Sequence, residues 1–287
     1  MKSFFRNALM ILLPTTLIIS CNDDDSNGNP DGSSPEAITP AEVQTSMEAE
    51  DVSGDIDNVV DFMVVADLGD TSAKSDALAS KGWLPDCYTI STEATSDSFI
   101  TTFDFGEGCE MPDGKMLGGM LTLSYLKETD STSHTRTSEV TFENFTVDSV
   151  TVNGMKTYQH TFSQEENPMS SVVTDITLTW EDDTSMAVSS EKTREWVEGF
   201  DNGTWGDSAF LITGNASVTN REGVVFTSDI STPLRAELSC DHLVSGVIDF
   251  SKDDATAQLD YGDGTCDDKA MFTGTDGETV EITLEKK

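Results

Sequence analysis

From Tyr88 to the C-terminus the chain alternates apolar and polar residues with a period of two, which is the spacing of a half-buried β-strand. Turn-forming residues recur at intervals of about eight to twelve positions, as expected for short antiparallel strands. No helical pattern alternates with these strands, so a parallel βαβ sheet is not favoured. We therefore expect an all-β fold of about fourteen strands: a long antiparallel meander that forms a curved sheet, an open barrel or a sandwich.

Several turns are predicted within this meander. Asn153-Gly154 and Asp276-Gly277 are dipeptides typical of two-residue hairpins. A phase slip in VTFENFTVDSVTVNG predicts a bulge near Asn144. Further turns are expected in the acidic segment EDDT and at Asn220 to Gly223, and Thr279 to Leu284 is expected to be the closing strand.

Residues 38–82 are predicted to be helical and to precede the β domain, which we place at residues 83–287. Thr39-Pro40-Ala41-Glu42 has the pattern of a capping box with proline at the first helical position. Apolar residues then recur at helical spacing up to residue 66, with Gly54 as a weak point in the middle. A second short helical piece is expected over Ser72 to Ser80.

The N-terminus has the features of an export signal. Lys2 and Arg6 precede an apolar run, Ala8 to Ile19, which is too short to span a bilayer as a mature helix. The run ends in Ile18-Ile19-Ser20-Cys21, which resembles a bacterial lipobox. We therefore expect residues 1–20 to be a lipoprotein signal peptide and Cys21 to carry acyl chains that anchor the protein in a membrane.

Residues 21–37 contain the lipidated cysteine and an acidic, Gly/Pro/Ser-rich segment that we expect to be a flexible tether. The run Asp23-Asp24-Asp25 resembles the surface-export tether of Bacteroidetes lipoproteins. The expected location is the outer membrane with the protein facing the cell exterior, and the periplasmic face is the alternative.

The chain is strongly acidic, with a formal net charge of −37. Loss of Lys2 and Arg6 with the signal peptide would take −37 to −39. Such a charge disfavours nucleic acid and anionic lipid head groups as partners. A protein or glycan partner stays open.

Four cysteines are left if Cys21 carries lipid, and an exported chain is expected to use them in two disulfides. Three pairings are possible. Cys87 precedes, and Cys109 follows, a predicted hairpin that ends in DFGEGC; Cys240 and Cys266 flank another that ends in DYGDGTC. The ends of an antiparallel hairpin lie close together, which favours the pairs Cys87–Cys109 and Cys240–Cys266.

The segments DYGDGTCDDKA, ITGNASVTNREGVVF, STPLRAELSC, TFENFTVDSVTVNG and TREWVEGF resemble an uncharacterised family of Bacteroidetes outer-membrane lipoproteins with a C-terminal DYGDGTCD-type segment. The likeness covers most of residues 85–284. It implies a lipoprotein and brings no activity with it.

The acidic turn near the C-terminus is a candidate calcium loop, because calcium takes six to eight oxygen ligands on a flexible loop. Its candidate ligands are Asp260, Asp263, Asp267 and Asp268. Their spacing does not fit an EF-hand, and a solvated turn beside a disulfide is the alternative. The first copy of the turn offers Asp104, Glu107, Glu110 and Asp113.

Sequence signals for catalysis are weak. The three histidines, His134, His160 and His242, lack metal-site spacing, and no G-x-S-x-G motif is present. Aromatic residues that could stack on a glycan or form core are Trp180, Trp196, Phe200, Trp205 and Phe210.

We expect a non-enzymatic, lipid-anchored envelope protein with a binding or structural role and no resident cofactor. The alternatives are a carrier of a lipid or other hydrophobic ligand in the concave face of the sheet, a calcium-dependent glycan-binding module, and an enzyme.

Overall fold

The computed structural model describes residues 36–68, 87–111, 114–126, 135–162, 166–200 and 205–284. One helix precedes a series of fourteen strands, as the sequence predicts. The elements are α1 (Pro40–Leu68), β1 (Thr89–Ala94), β2 (Ser98–Asp104), β3 (Cys109–Glu110), β4 (Met116–Leu126), β5 (Thr135–Val147), β6 (Val150–Thr161), β7 (Met169–Thr179), β8 (Ser185–Glu198), β9 (Ala209–Thr219), β10 (Val225–Glu237), β11 (Ser245–Lys252), β12 (Ala255–Asp263), β13 (Lys269–Thr273) and β14 (Thr279–Thr283).

The start of α1 is the predicted capping box. The Thr39 backbone N–H donates to Glu42 Oε2 at 2.8 Å, and the Glu42 N–H donates back to Thr39 Oγ1 at 3.3 Å. Two backbone donors that the first helical turn leaves without partners are satisfied in this way. The helix continues through Gly54 to Leu68, so the predicted weak point does not interrupt it.

The strands form one open antiparallel sheet in which each pairs with its neighbours in sequence. The exception is the two-residue strand β3, which lies beside β2 along the same edge of β4. Strands β1 and β14 end the sheet. The predicted meander is therefore confirmed, and its form is an open sheet.

One face of the sheet packs against α1 and the other faces solvent. In β7, for example, Ser170, Val172, Thr174, Ile176 and Leu178 are buried, and the residues between them are exposed. The core falls into two clusters. The larger joins α1 from Ala49 to Val64 to strands β2–β9. The smaller joins Ile38 and Val43, at the start of the helix, to strands β10–β13.

The predicted irregularity near Asn144 is confirmed. Asn144 has a φ of 50°, and the pairing of β5 shifts register against both neighbouring strands there. Gly119 of β4 lies opposite, and a Cβ at that position would be 2.0 Å from the carbonyl oxygen of Asn144. Glycine is required because the bulged backbone comes so close.

The hairpin turn predicted at Asn153-Gly154 is wrong, because both residues lie inside β6. The turn instead contains Asp148 and Ser149, which have φ values of 46° and 70°. Asp148 Oδ1 accepts the Met116 N–H at 2.7 Å, which fixes the turn against β4. Gly154 serves a different purpose: a Cβ there would lie 2.3 Å from the carbonyl oxygen of Asp175 in β7.

The other predicted turns are confirmed. Asp276-Gly277 joins β13 to β14, with the Gly277 N–H donating to the Gly274 carbonyl at 2.9 Å. The acidic EDDT segment joins β7 to β8, and Asn220 to Gly223 joins β9 to β10. The signal peptide at 1–20, Cys21, the tether up to residue 35 and the helical piece at Ser72 to Ser80 lie outside the described residues.

Two glycine substitutions test this account. Gly154→Ala should destabilise the protein by about 3 kcal/mol, because the added methyl group meets β7 backbone at a positive φ. Gly54→Ala is the matched control: its Cβ meets nothing within 4 Å, and helix propensity predicts a gain of about 1 kcal/mol. Urea unfolding followed by circular dichroism measures both, and equal stabilities for the two variants would contradict the assignment.

Candidate functional site

The interface between α1 and the sheet carries a concentration of charge. The helix contains eight acidic residues and no basic one. Between described side chains, ion pairs join six of these acids to lysines and arginines that the sheet and its turns direct toward the helix. The pairs are Glu42–Lys252, Glu48–Arg221, Glu50–Lys192, Asp55–Lys115, Asp57–Lys156 and Asp61–Arg194.

The first cluster of this interface is centred on Asp57. Lys156, with a side chain that is 0% exposed, pairs with Asp57 Oδ1. Its ammonium nitrogen also donates to the Ser53 carbonyl at 2.7 Å and to Ser53 Oγ at 2.9 Å. Tyr158 donates its hydroxyl proton to the same Asp57 oxygen at 2.7 Å. Burial and the charge of Asp57 hold the pKa of Tyr158 well above its usual value.

The second cluster is centred on Asp61, one helical turn further on. Arg194 Nε donates to Asp61 Oδ2 at 3.0 Å, and His160 Nε2 lies 3.3 Å from Asp61 Oδ1. Burial by itself would raise the pKa of Asp61, but the Arg194 charge and the His160 hydrogen bond lower it below its usual value. A carboxylate held in this way stays ionised at neutral pH.

A small pocket opens beside the second cluster. Its polar floor is formed by Asp61, His160, Ser170 and Arg194, and its apolar walls include Phe162 and Phe210. Its volume is about 20 Å³, which is room for a single water-sized group. Among the described residues, none forms a hydrogen bond with His160 Nδ1.

The pocket does not have the geometry of a catalytic triad. Ser170 Oγ donates to Asp61 Oδ1 at 3.3 Å, so serine and histidine both contact the same carboxylate. In a triad the histidine bridges the serine and the acid and removes the serine proton. The cluster therefore holds α1 against β6, β7 and β8 and does not form a proton relay.

The remaining pairs continue along the helix. Glu50 accepts from Lys192 and, at 2.8 Å, from Ser228 of β10. Arg221 donates to both oxygens of Glu48, at 2.9 and 3.0 Å, and lies over the ring of Trp180. Near the start of the helix, burial alone would raise the pKa of Glu42, but hydrogen bonds from Lys252 and Thr39 lower it below its usual value.

Both predicted cysteine pairs are confirmed. Cys87 and Cys109 have a Cα–Cα distance of 5.4 Å, and Cys240 and Cys266 one of 5.6 Å. The paired cysteines are 22 and 26 residues apart in the sequence. Each disulfide is expected to contribute about 3 kcal/mol to stability.

The two disulfide-closed hairpins end in the same local structure. Asp104 Oδ1 accepts the Gly106 N–H at 2.9 Å, and Asp260 Oδ1 accepts the Gly262 N–H at 2.8 Å. The aromatic residue between them, Phe105 or Tyr261, is buried. The repeated Asp-aromatic-Gly sequence thus turns the chain and anchors it in the core.

The candidate calcium ligands do not converge. Asp263 accepts from Thr265, Asp267 accepts from the backbone of Lys269, and Asp268 pairs with the Lys269 side chain. Within the part of the chain that the structure describes, no group of three or more His, Cys, Asp or Glu side chains is placed to hold a metal ion. Each of the four carboxylates, including that of Asp260, forms a hydrogen bond or ion pair with a residue of its own turn.

The aromatic residues proposed as a glycan platform are mostly interior. Trp196 is 7% exposed and packs against Phe200 and Phe210, with ring centroids 5.0 and 5.1 Å away. Trp180 is half-buried beneath Arg221. The side chain of Trp205 lies outside the described residues.

Sequence reasoning missed the ion pairs along α1, although a signal for them was present. Lys156 and His160 are in phase with the buried Val152 and Tyr158 of β6, and Arg194 is in phase with Trp196 of β8. A cation at an inward strand position requires a buried acid nearby. The acidic positions of α1 supply that partner.

Comparison with known proteins returned no matching family model, no curated relative and no solved structure with a similar fold. Among the described residues, no helix has the length and apolarity needed to cross a membrane.

The free energy of unfolding should decrease at acid pH. The pKa of Asp61 is lower in the folded than in the unfolded state, so its stabilising contribution is complete at neutral pH and is lost as pH falls below about 4. Asp61→Asn should cost about 3–5 kcal/mol at pH 7, since Arg194 is left buried without its ion partner, and less at pH 3. The exposed ion pair of Asp268 with Lys269 provides the control. Asp268→Asn should change the free energy of unfolding by less than about 1 kcal/mol. A constant cost of Asp61→Asn across this pH range would contradict the assignment.

The acidic turns should not confer calcium dependence. Thermal unfolding in millimolar calcium should match that in magnesium at equal ionic strength, for the wild type and for the Asp260→Asn/Asp263→Asn variant. A ligand at a hundred times its dissociation constant would add about 2.7 kcal/mol. A calcium-specific rise in Tm that the variant abolishes would restore the metal site.

Proposed function

We propose that the protein is a lipid-anchored, non-enzymatic lipoprotein of the cell envelope that faces the cell exterior and has a binding or structural role. Its contact surface is the face of the sheet opposite α1, which we call the outer face. The choice of the outer face as the contact surface is supported by the different residues on the two faces of the sheet. Six of the nine lysines and arginines in the described residues pair with acids of α1 on the inner side of the sheet, where they hold the helix.

The outer face carries a regular polar row that crosses ten strands at one level. Eight of the ten residues bear a hydroxyl group. In strand order the row is Thr102, Thr122, Thr141, Met155, Asp175, Ser189, Ser217, Thr227, Ser251 and Thr256. At about 4.8 Å between strands, such a row extends over roughly 40 Å.

A second row lies two residues further along each strand and adds carboxylates. Its acids are Glu139, Glu191, Asp229 and Asp249, and its other members in β6, β7, β9 and β12 are Thr157, Val173, Asn215 and Gln258. Parallel rows of hydroxyls and carboxylates present many hydrogen-bonding groups at a fixed spacing. This surface suits an extended polar partner better than a small apolar ligand.

The alternative of a hydrophobic carrier is less favoured. The inner face, where such a ligand would bind, is packed by the apolar residues of α1. A carrier would have to release the helix, and an apolar ligand in its place would leave the cations that pair with the helix buried without a partner.

The anchor is tested by Cys21→Ser. The wild-type protein should sediment with membranes, and the variant should be recovered in the soluble fraction, because it lacks the acyl chains. Protease digestion of intact cells should degrade the wild-type protein if it faces the exterior. Membrane association that is unchanged in the variant would refute the anchor, and protection of the wild type until the outer membrane is opened would refute the outward location.

A further inference from the structure

We propose that Lys156 and Asp57 form an intramolecular amide bond, so that α1 is covalently joined to β6. The inference rests on the arrangement around these two side chains and does not depend on the function proposed above. Lys156 Nζ contacts Asp57 Oδ1 in a site where the lysine side chain is 0% and the aspartate side chain 6% exposed.

The surroundings of Lys156 orient its nitrogen as a nucleophile. A neutral amine has two N–H groups and one lone pair. The Ser53 carbonyl at 2.7 Å and Ser53 Oγ at 2.9 Å can accept both N–H groups, which leaves the lone pair directed at the Asp57 carboxyl group. Burial lowers the pKa of Lys156, and the charge of Asp57 offsets this only in part. The lowered pKa favours the neutral amine that the reaction needs.

The surroundings of Asp57 prepare its carboxyl carbon for attack. Tyr158 donates its hydroxyl proton to Asp57 Oδ1 at 2.7 Å. That donor would stabilise the negative charge that develops on Oδ1 when the amine adds to the carbon, as oxyanion-hole donors do in acyl transfer. Because the pKa of Tyr158 is raised, its hydroxyl keeps the proton that it donates.

The step balances without any added reagent. Proton transfer within the buried pair converts the ammonium and carboxylate into an amine and a carboxylic acid that carries its proton on Oδ2, while Oδ1 stays the carbonyl oxygen. Lys156 Nζ then bonds to Asp57 Cγ, the bond from Cγ to Oδ2 breaks, and the departing hydroxyl takes one amine proton and leaves as water. The fixed contact supplies the proximity that makes an unactivated carboxyl group reactive.

Lys192 and Glu50 provide a natural comparison, since they also form a close pair between the sheet and α1. The Lys192 side chain is 17% exposed, and the second hydrogen bond to Glu50 goes to its other oxygen, from Ser228. Water reaches this amine, whereas the amine of Lys156 is fully enclosed. We therefore expect an amide at Lys156 and an ion pair at Lys192.

The test is digestion of the denatured, reduced and alkylated full-length Cys21→Ser protein with lysyl endopeptidase, followed by mass spectrometry. An amide at Lys156 blocks cleavage there. The expected product is a branched peptide that joins the segment ending at Lys74 to the segment running through Lys156 to Lys192, one water lighter than the sum of its parts. Normal cleavage at Lys192 is the control within the same digest.

Two variants address the chemistry. Lys156→Arg should retain the charge and give an intact mass equal to that of its sequence. Tyr158→Phe should lower the cross-linked fraction at least several-fold, because the donor to Oδ1 is lost, while a fraction equal to the wild type would exclude this role for Tyr158.

The wild-type digest decides the proposal whether or not the variants fold. Complete cleavage after Lys156, with both resulting peptides at their unmodified masses, would overturn the amide and leave Lys156 and Asp57 as a buried ion pair.

Discussion

The charge on α1 is the constraint on which the rest of the structure depends. The helix has eight acids and no base, and it packs against the sheet with part of that charge buried. Six of the nine lysines and arginines in the described residues meet it. Such pairs add little net stability over apolar packing, but a helix shifted by one turn would leave buried charges unpaired. They therefore fix where the helix lies on the sheet.

Because most basic residues pair with the helix on the inner face, the outer face is predominantly acidic and polar. In a chain with a net charge of −37, few basic residues are left to balance the acids that face solvent. The outer face consequently presents hydroxyl and carboxylate groups in regular rows. An extended partner that meets such a surface would gain from many weak, evenly spaced hydrogen bonds and from bridging cations in solution.

The sequence was sufficient for features that depend on local chemistry. The strands, the capping box of Thr39 and Glu42, and the two cysteine pairs follow from periodicity, from capping preference and from the closeness of hairpin ends. Gly154 was misassigned because an Asn-Gly pair suits both a turn and a close approach between strands, and only tertiary packing distinguishes them. The ion pairs of α1 needed the phase of burial in distant strands, as Lys156 and Arg194 illustrate.

The connectivity also has a consequence for biogenesis. Apart from β3, each strand pairs with the next one in the chain, so the meander can grow hairpin by hairpin as the polypeptide is synthesised. The helix emerges first, but its partners arrive late: Lys252 follows Glu42 by 210 residues. Until then a highly acidic segment lacks the basic side chains that pair with it. The interval between synthesis of the helix and synthesis of the last hairpins is therefore when a nascent chain would most need a chaperone that prevents aggregation.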